Sequence, residues 1–147
     1  MEQKEVALSV SNAILKGEWD KLNGILSEDF TYTGDGMHFN KAEYVDFMKG
    51  MKAAFSNMNF EFTHVISEGD VVSIRFVVTA KHTGSFMGGA ATNKNLKFSG
   101  IFIRKVKGDK VVQEWQATDL LGMMTQMGVG TLLGYTIFGV WLAKKKK

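Results

Sequence analysis

Cysteine and proline are both absent from this 147-residue chain. The lack of cysteine excludes disulfides, thiolate metal ligands and a cysteine nucleophile. The lack of proline leaves glycine, with 16 residues, as the main residue that interrupts helices and strands. Histidine and acidic residues nowhere show a metal-ligand spacing such as His-x-x-x-His. We therefore expect no metal site.

A strong excess of one charge is also absent from most of the chain. The net charge is +3, and the four lysines at 144–147 more than account for it, so the rest of the chain is close to neutral. This distribution argues against a nucleic-acid-binding surface. Residues 1–5 are charged and lack the apolar core of a signal peptide, so we expect a cytoplasmic protein. A hydrophobic content of 45% with 22% charged residues is typical of a globular domain.

Two periodicities of apolar residues divide the chain. Apolar residues recur at helical spacing in three segments, 3–16, 19–26 and 40–55. They alternate in four later segments, 60–66, 72–80, 96–106 and 111–119. A further short strand at 30–33 runs into a Gly34-Asp35-Gly36 turn. The pattern predicts an α+β domain in which about three N-terminal helices pack on one face of a curved antiparallel sheet.

The last predicted strand carries the strongest functional signal. Trp115, Ala117 and Asp119 share one face under a two-residue repeat. A carboxylate at a strand end, beside an indole, is a candidate acid or base at the rim of an apolar pocket. Apolar surroundings penalise its charged form and so tune it toward proton transfer. The alternative is an aspartate that only caps the strand end or the next turn.

Four other residues are candidate ligand-binding groups. Trp115 lines a pocket or is a plain core tryptophan. Tyr32 could donate its hydroxyl into a cavity, or it could be a partly exposed core tyrosine. His64 is expected on the same strand face as Phe60 and Phe62, where it is either a core histidine or a pocket acid–base group. Met48 belongs to a set of flexible thioethers that suit a variable apolar ligand, with ordinary gap-filling as the alternative.

Three further polar residues are expected to have structural roles. Arg75 and Arg104 lie in predicted strands, and we expect each to be paired on the outer face of the sheet or at a dimer seam. His82 precedes Gly84 at a strand end, where we expect it to make a hydrogen bond that fixes the following turn.

The order of elements, taken with four local segments, resembles the SnoaL-like polyketide cyclase family of the nuclear transport factor 2-like superfamily. The segments are 81–88, the Thr92-Asn93-Lys94 turn, Ile103-Arg104 and 114–122. The resemblance covers roughly residues 4–128 and implies a cone-shaped α+β domain that encloses a pocket. It implies that Asp119 matches the pocket aspartate of the cyclases, an acid or base in intramolecular aldol closure without metal or organic cofactor. The cyclases also place a histidine on the preceding strand, whereas residues 99–103 contain none.

The C-terminal segment lies outside this resemblance. We expect residues 1–128 to form the SnoaL-like domain and residues 129–147 to form an apolar tail that ends in lysines. As a helix, the 16 uncharged residues 128–143 would span roughly 24 Å, less than the ~30 Å core of a bilayer. We expect this tail to pack on its own domain or in a homodimer interface. Membrane contact through residues 129–147 and an engineered solubility extension are the alternatives.

Three functions remain open from the sequence. The first, which we favour, is a cofactor-independent cyclase, isomerase or hydrolase that acts on a small hydrophobic carbonyl compound through Asp119. The second is a non-catalytic module that binds a small hydrophobic ligand. An enzyme predicts the Asp119 carboxylate inside a closed apolar cavity, and a binding module predicts it at the solvent or held by backbone donors. The third is an assembly domain that dimerises through the convex face of its sheet and is tethered to a membrane or a partner by its tail.

Overall fold

The structure, a computed structural model, describes residues 2–128 and 144–145. The predicted apolar tail therefore lies almost entirely outside the described residues, and its packing stays a prediction. Among the residues described, no helix is long and apolar enough to cross a membrane.

Residues 3–127 form a mixed α+β domain with four helices and a curved sheet of six strands that does not close on itself. In chain order these are α1 (Gln3–Lys16), α2 (Trp19–Ile25), β1 (Leu26–Gly34), β2 (Met37–Asn40), α3 (Lys41–Ala54), β3 (Phe55–Glu68), β4 (Val71–His82), β5 (Asn95–Lys107), β6 (Lys110–Thr118) and α4 (Leu120–Met127). The predicted fold class is confirmed. The short strand β2 and the helix α4 were not predicted.

The sheet has the strand order β2-β1-β6-β5-β4-β3. Its neighbouring strands are antiparallel except β1 and β6, which run parallel. Because β1 and β6 run in the same direction, the turn that follows β1 and the residues that end β6 meet at one edge of the sheet. The residues that meet here form the polar end of the cavity described below.

The helices begin and end at residues whose chemistry can be read locally. Asn40 and Glu43 form a capping box at the start of α3, in which each side chain accepts a hydrogen bond from the other residue's backbone N–H. Gly17 ends α1 in the left-handed conformation, at φ 68°, and donates to the carbonyls of Ala13 and Ile14. An N-cap such as Asn40 is worth about 1 kcal/mol.

A β-bulge in β3 reverses the faces of the second half of that strand. The register with β4 shifts by one residue between Phe62 and His64, which leaves Thr63 as the extra residue. As a result Phe60, Phe62 and Val65 pack against the core, whereas His64 is exposed on the outer face. The expectation that His64 shares a face with the phenylalanines was wrong, because alternation does not continue through an inserted residue.

A second bulge has the same effect in β6. Val106 pairs with Val111 but Lys105 pairs with Gln113, so Val112 is the extra residue. Val111 is buried, and beyond the bulge Glu114 takes the inward position instead of Trp115. Each residue of β6 after Val112 therefore points to the face opposite to the one that it would occupy if alternation continued without interruption from Val111.

Candidate functional site

An apolar cavity of about 100 Å³, partly open to solvent, lies between the inner face of the sheet and the helices. Most of its wall consists of aromatic rings and thioethers. Six methionines contribute to it, namely Met37, Met48, Met51, Met58, Met87 and Met123. Met48 is therefore located as the sequence predicts, on α3 and facing the cavity. A wall of this kind suits a hydrophobic molecule, since thioether side chains adapt to different shapes.

One end of the cavity is polar and is built around Asp35 and Thr118. The Asp35 Oδ1 accepts a hydrogen bond from the Thr118 backbone N–H at 2.8 Å, and Oδ2 accepts one from the Thr118 hydroxyl at 2.7 Å. The Gln116 Nε2 donates to the same hydroxyl oxygen at 2.8 Å. All three side chains line the cavity. The carboxylate is thus held in one orientation, with lone pairs left for a ligand.

The position of Asp35 depends on Gly34 and on an unusual backbone conformation. Asp35 has φ 50°, in the left-handed region that aspartate tolerates better than most residues. Gly34 pairs with Gln116 so closely that a Cβ atom on Gly34 would lie 2.4 Å from the Gln116 carbonyl oxygen. Only glycine therefore allows the turn to approach β6 closely enough for Asp35 to reach Thr118.

Tyr32 places a hydroxyl in the same cavity. Its side chain is only 1% exposed, and its ring packs against Phe39 and Tyr44 at centroid distances of 5.6 and 5.3 Å. Within residues 2–128 its hydroxyl has no hydrogen-bond partner. Burial, and then the negative charges of Glu114 and Asp35, raise the pKa of Tyr32 well above its usual value. The hydroxyl is therefore protonated at neutral pH and remains a donor without an acceptor.

A buried ion pair lies beside the tyrosines. The Arg104 Nε donates to the Glu114 Oε2 at 2.6 Å, and its Nη1 donates to the Ala7 carbonyl at 2.5 Å and the Ser11 hydroxyl at 2.8 Å. The Tyr44 hydroxyl donates to the same carboxylate at 3.2 Å. Burial, followed by the charge of Glu114, raises the pKa of Tyr44. These groups satisfy one another and join α1, α3 and the sheet.

The prediction for Arg104 was wrong about the face and right about pairing. Arg104 is 2% exposed on the inner face, directly opposite Glu114. Because the bulge in β6 points Glu114 inward, its carboxylate pairs with the Arg104 guanidinium and offsets the cost of burying that charge. Arg75 does lie on the outer face, where its Nη1 donates to the Thr63 hydroxyl at 3.0 Å.

Trp115 lies on the outer face of the sheet, and Asp119 follows the end of β6 and is exposed. Trp115 is 37% exposed, and neither residue lines the cavity. The exposed Asp119 is the N-cap of α4, and its Oδ1 accepts from the Gly122 backbone N–H at 2.9 Å. The expected placement of both residues in the pocket was therefore wrong, and the capping alternative describes the geometry of Asp119. Its acid–base role stays a prediction.

The structure thus brings Tyr32 and Met48 to the cavity and leaves Asp119, Trp115 and His64 outside it. The sequence reading missed Asp35, Gln116 and Thr118. The signals for them were the acidic residue within the Gly34–Gly36 turn and the other face of β6. Within residues 2–128 and 144–145, no three histidine, aspartate or glutamate residues cluster in a way that could hold a metal ion.

His82 makes the hydrogen bond that the sequence predicts. Its Nδ1 lies 3.0 Å from the Thr92 hydroxyl oxygen and accepts from the Thr92 backbone N–H at 3.2 Å. The side chain is buried, which lowers the pKa of His82, and a backbone hydrogen bond to Gly84 partly opposes that effect.

Comparisons with known proteins agree with this architecture. AclR, a candidate hydroxylase from Streptomyces galilaeus, is 23% identical and superposes with a TM-score of 0.76 over 85% of this chain and 94% of its own. IdmH, a candidate polyketide cyclase from Streptomyces antibioticus, is 19% identical with a TM-score of 0.77 over 88% of this chain and 100% of its own. A candidate SnoaL-like polyketide cyclase from Jannaschia sp. CCS1 is 18% identical with a TM-score of 0.79 over 86% and 92%.

These similarities to solved structures show a shared nuclear transport factor 2-like fold. No curated protein is significantly similar to this chain in sequence. The family model described as SnoaL-like polyketide cyclase matches residues 4–127, which is most of the chain. The chain therefore belongs to the SnoaL-like polyketide cyclase family.

Proposed function

We propose that this protein binds a small, mostly apolar carbonyl compound in its cavity and moves a proton on it, as a cyclase or isomerase would. The observation that carries the proposal is the Tyr32 hydroxyl, a donor in the cavity wall that has no acceptor in the described part of the chain. A ligand carbonyl oxygen in the cavity would satisfy it.

Asp35 is the group best placed to accept the proton. Its carboxylate lines the same cavity and is held by the two Thr118 donors. It would remove a proton from the carbon next to the ligand carbonyl, and the C–H electron pair would form an enolate. The Tyr32 hydroxyl would donate to the oxygen on which negative charge develops.

The same arrangement supports two outcomes. In an isomerisation of an unsaturated ketone, the enolate is a dienolate, and Asp35 returns the proton to its γ-carbon. In an aldol closure, the enolate carbon attacks a second carbonyl of the same molecule, and Asp35 gives the proton to the new alkoxide oxygen. Each outcome uses the side chains alone and leaves Asp35 ionised at the end.

The size of the cavity restricts the ligand. A cavity of about 150 Å³ holds benzene in another protein. The value of about 100 Å³ found here therefore suits a single small ring. A larger substrate would require part of the wall to move.

Exchange of the α-protons of cyclopentanone in D₂O, followed by NMR, tests the proposed proton transfer without knowledge of the natural substrate. We expect Asp35→Asn to lower the enzyme-catalysed exchange rate by at least about 10²-fold, and Tyr32→Phe to lower it by about 10²-fold. Asp119→Asn is the matched control, because asparagine caps a helix as well as aspartate does. Its exchange rate should stay at the wild-type value.

Two other results would decide against parts of the proposal. If Asp119→Asn rather than Asp35→Asn abolishes exchange, the aspartate at the family position is the base and Asp35 is not. If cyclopentanone binds but no variant changes its exchange, the protein is a binding module. The exposed and capped position of Asp119 is the observation that favours this second function.

A further inference from the structure

The connection between β4 and β5, residues 83–94, is fixed at its first end by the last turn of α3. The backbone N–H groups of Thr83 and Gly84 both donate to the Ala54 carbonyl, at 3.0 and 2.9 Å. A Cβ atom on Gly84 would lie 2.9 Å from the Ala53 carbonyl oxygen, so the loop touches the helix at this point. This end of the connection cannot move without breaking two hydrogen bonds.

The second end of the connection is fixed by His82. The Asn93 N–H donates to the His82 carbonyl at 2.8 Å, and the His82 N–H donates to the Lys94 carbonyl at 2.9 Å. The Thr92 N–H donates to the His82 imidazole at 3.2 Å. Residues 92–94 are therefore held through both the backbone and the side chain of one residue.

The seven residues between these two ends, 85–91, are attached differently. Their backbone forms a small hairpin in which Phe86 and Gly89 exchange two hydrogen bonds, of 3.0 and 2.9 Å. Met87 and Gly88 turn the hairpin with φ values of 50° and 80°. Within residues 2–128, no hydrogen bond or ion pair joins 85–91 to the rest of the domain.

The hairpin is attached to the domain by apolar contacts at the cavity. The Phe86 ring lies edge-on to Phe55 at a centroid distance of 5.2 Å and lies 6.1 Å from Phe47. Phe86 and Met87 both line the cavity, and Met87 is also 45% exposed. One side chain of the hairpin thus closes the wall, and its neighbour reaches the solvent.

We propose that residues 85–91 are a lid on the cavity and that Phe86 sets the size of ligand that the closed cavity admits. Apolar contacts can separate and re-form without leaving an unpaired polar group, whereas the anchored ends cannot. The lid would therefore open between Gly84 and Thr92. This inference deepens the proposed function and rests on it for the identity of the ligand as a carbonyl compound.

The lid has a consequence for the class of substrate. With Phe86 in place, the cavity fits one small ring, and with the phenyl ring removed the wall opens beside α3. We expect a two-ring ketone to bind poorly to the wild-type protein and well to Phe86→Ala. Ser85→Ala is the matched control, because Ser85 is the adjacent residue of the same hairpin, is exposed and does not line the cavity.

Lid opening can be measured without any ligand because the chain has no cysteine. In Met48→Cys the only thiol lies in the cavity wall, and its rate of reaction with methyl methanethiosulfonate reports access. Adding Phe86→Ala should raise that rate about tenfold, since two aromatic contacts are lost. Adding Ser85→Ala should change it by less than about threefold. Val10→Cys, fully buried but outside the cavity wall, should react slowly in every background.

The second measurement is binding of 6-propionyl-2-dimethylaminonaphthalene, a fluorescent two-ring ketone. Its affinity for Phe86→Ala should exceed that for the wild type by about tenfold, and its affinity for Ser85→Ala should equal that for the wild type. Phe86→Leu replaces Phe86→Ala if the alanine variant does not fold. Equal thiol reactivity with and without Phe86, or an equal rise at Val10→Cys, would overturn the lid proposal. Neither readout depends on Asp35, so failure of the proton-transfer chemistry would leave these measurements interpretable.

Discussion

The Asp35 carboxylate accepts hydrogen bonds from both the backbone N–H and the hydroxyl of Thr118, at 2.8 and 2.7 Å. The two residues are 83 positions apart in the sequence and meet because β1 and β6 are parallel neighbours. This pair joins the first turn of the sheet to its last strand. It also determines which face of the carboxylate is available to the cavity.

Replacing Thr118 by valine tests the positioning role of its hydroxyl. Thr118→Val keeps the shape and the backbone donor but removes the hydrogen bond to Oδ2. We expect unfolding in urea to show a loss of about 1 kcal/mol. The α-proton exchange rate should fall because the carboxylate is less well oriented. Thr118→Ser retains the hydroxyl and should restore the exchange rate, and a failure to do so would contradict a positioning role.

The Arg104–Glu114 pair should behave as a buried ion pair. Arg104→Met leaves the Glu114 carboxylate buried without its main partner and should cost about 3–5 kcal/mol of unfolding free energy. The double variant Arg104→Met/Glu114→Leu should be less destabilised than Arg104→Met alone, since no charge is then left unpaired. Urea titrations of the two single variants and the double variant measure the coupling. Additive effects would show that the two side chains do not interact energetically.

Gly34 should not tolerate a side chain. Gly34→Ala would place a methyl group 2.4 Å from the Gln116 carbonyl oxygen, so β1 and β6 must separate. We expect a loss of about 1–3 kcal/mol in thermal or urea unfolding, together with a weaker Asp35–Thr118 contact. Gly50→Ala is the control, since nothing lies within 4 Å of its added Cβ in α3. That variant should be stabilised by up to about 1 kcal/mol.

His82 should make stability depend on pH. Burial lowers the pKa of His82 below its usual value, so the unfolded chain binds a proton at a higher pH than the folded chain does. The contribution of His82 to the free energy of unfolding is therefore fully present above the usual histidine pKa of about 6.5. It decreases as the pH drops below that value. Unfolding of the wild type and His82→Gln, compared at neutral and mildly acidic pH, isolates this contribution. The exposed His38 and His64 occur in both proteins, so their contributions to the pH dependence cancel in the comparison. An identical pH dependence in both would contradict the prediction.

The homodimer expected from the sequence stays a prediction, and the outer sheet face is its candidate surface. Ile66, Ser73, Ile103 and Trp115 form one cross-strand row there, and Ile66 is 62% exposed. A twofold interface would cover this row with the same row of a second copy. Trp115→Asp should then give a monomer in sedimentation equilibrium. Leu121→Asp, an exposed leucine on α4, is the control and should leave the oligomeric state unchanged. A monomeric wild type would overturn the expectation.

The local features of this chain could be read from its sequence because their causes are local. The capping box of Asn40 and Glu43, the helix end at Gly17 and the turn at Gly34–Gly36 each depend on a few neighbouring residues. Apolar periodicity then separated the helical segments from the strands and led to the α+β class. The resemblance to the SnoaL-like family, carried by residues between 81 and 122, was confirmed by the family match.

The orientation of the functional side chains was decided only by the tertiary structure. A bulge depends on which residues of the neighbouring strand supply hydrogen bonds, and the sequence of β6 alone does not show that Val112 is the inserted residue. That single insertion turns Trp115 outward and brings Gln116 and Thr118 to the cavity. Asp35 joins them only because β1 lies beside β6 in the folded sheet. Strand segments are encoded locally, whereas the face that each half of a strand presents is set by its partners.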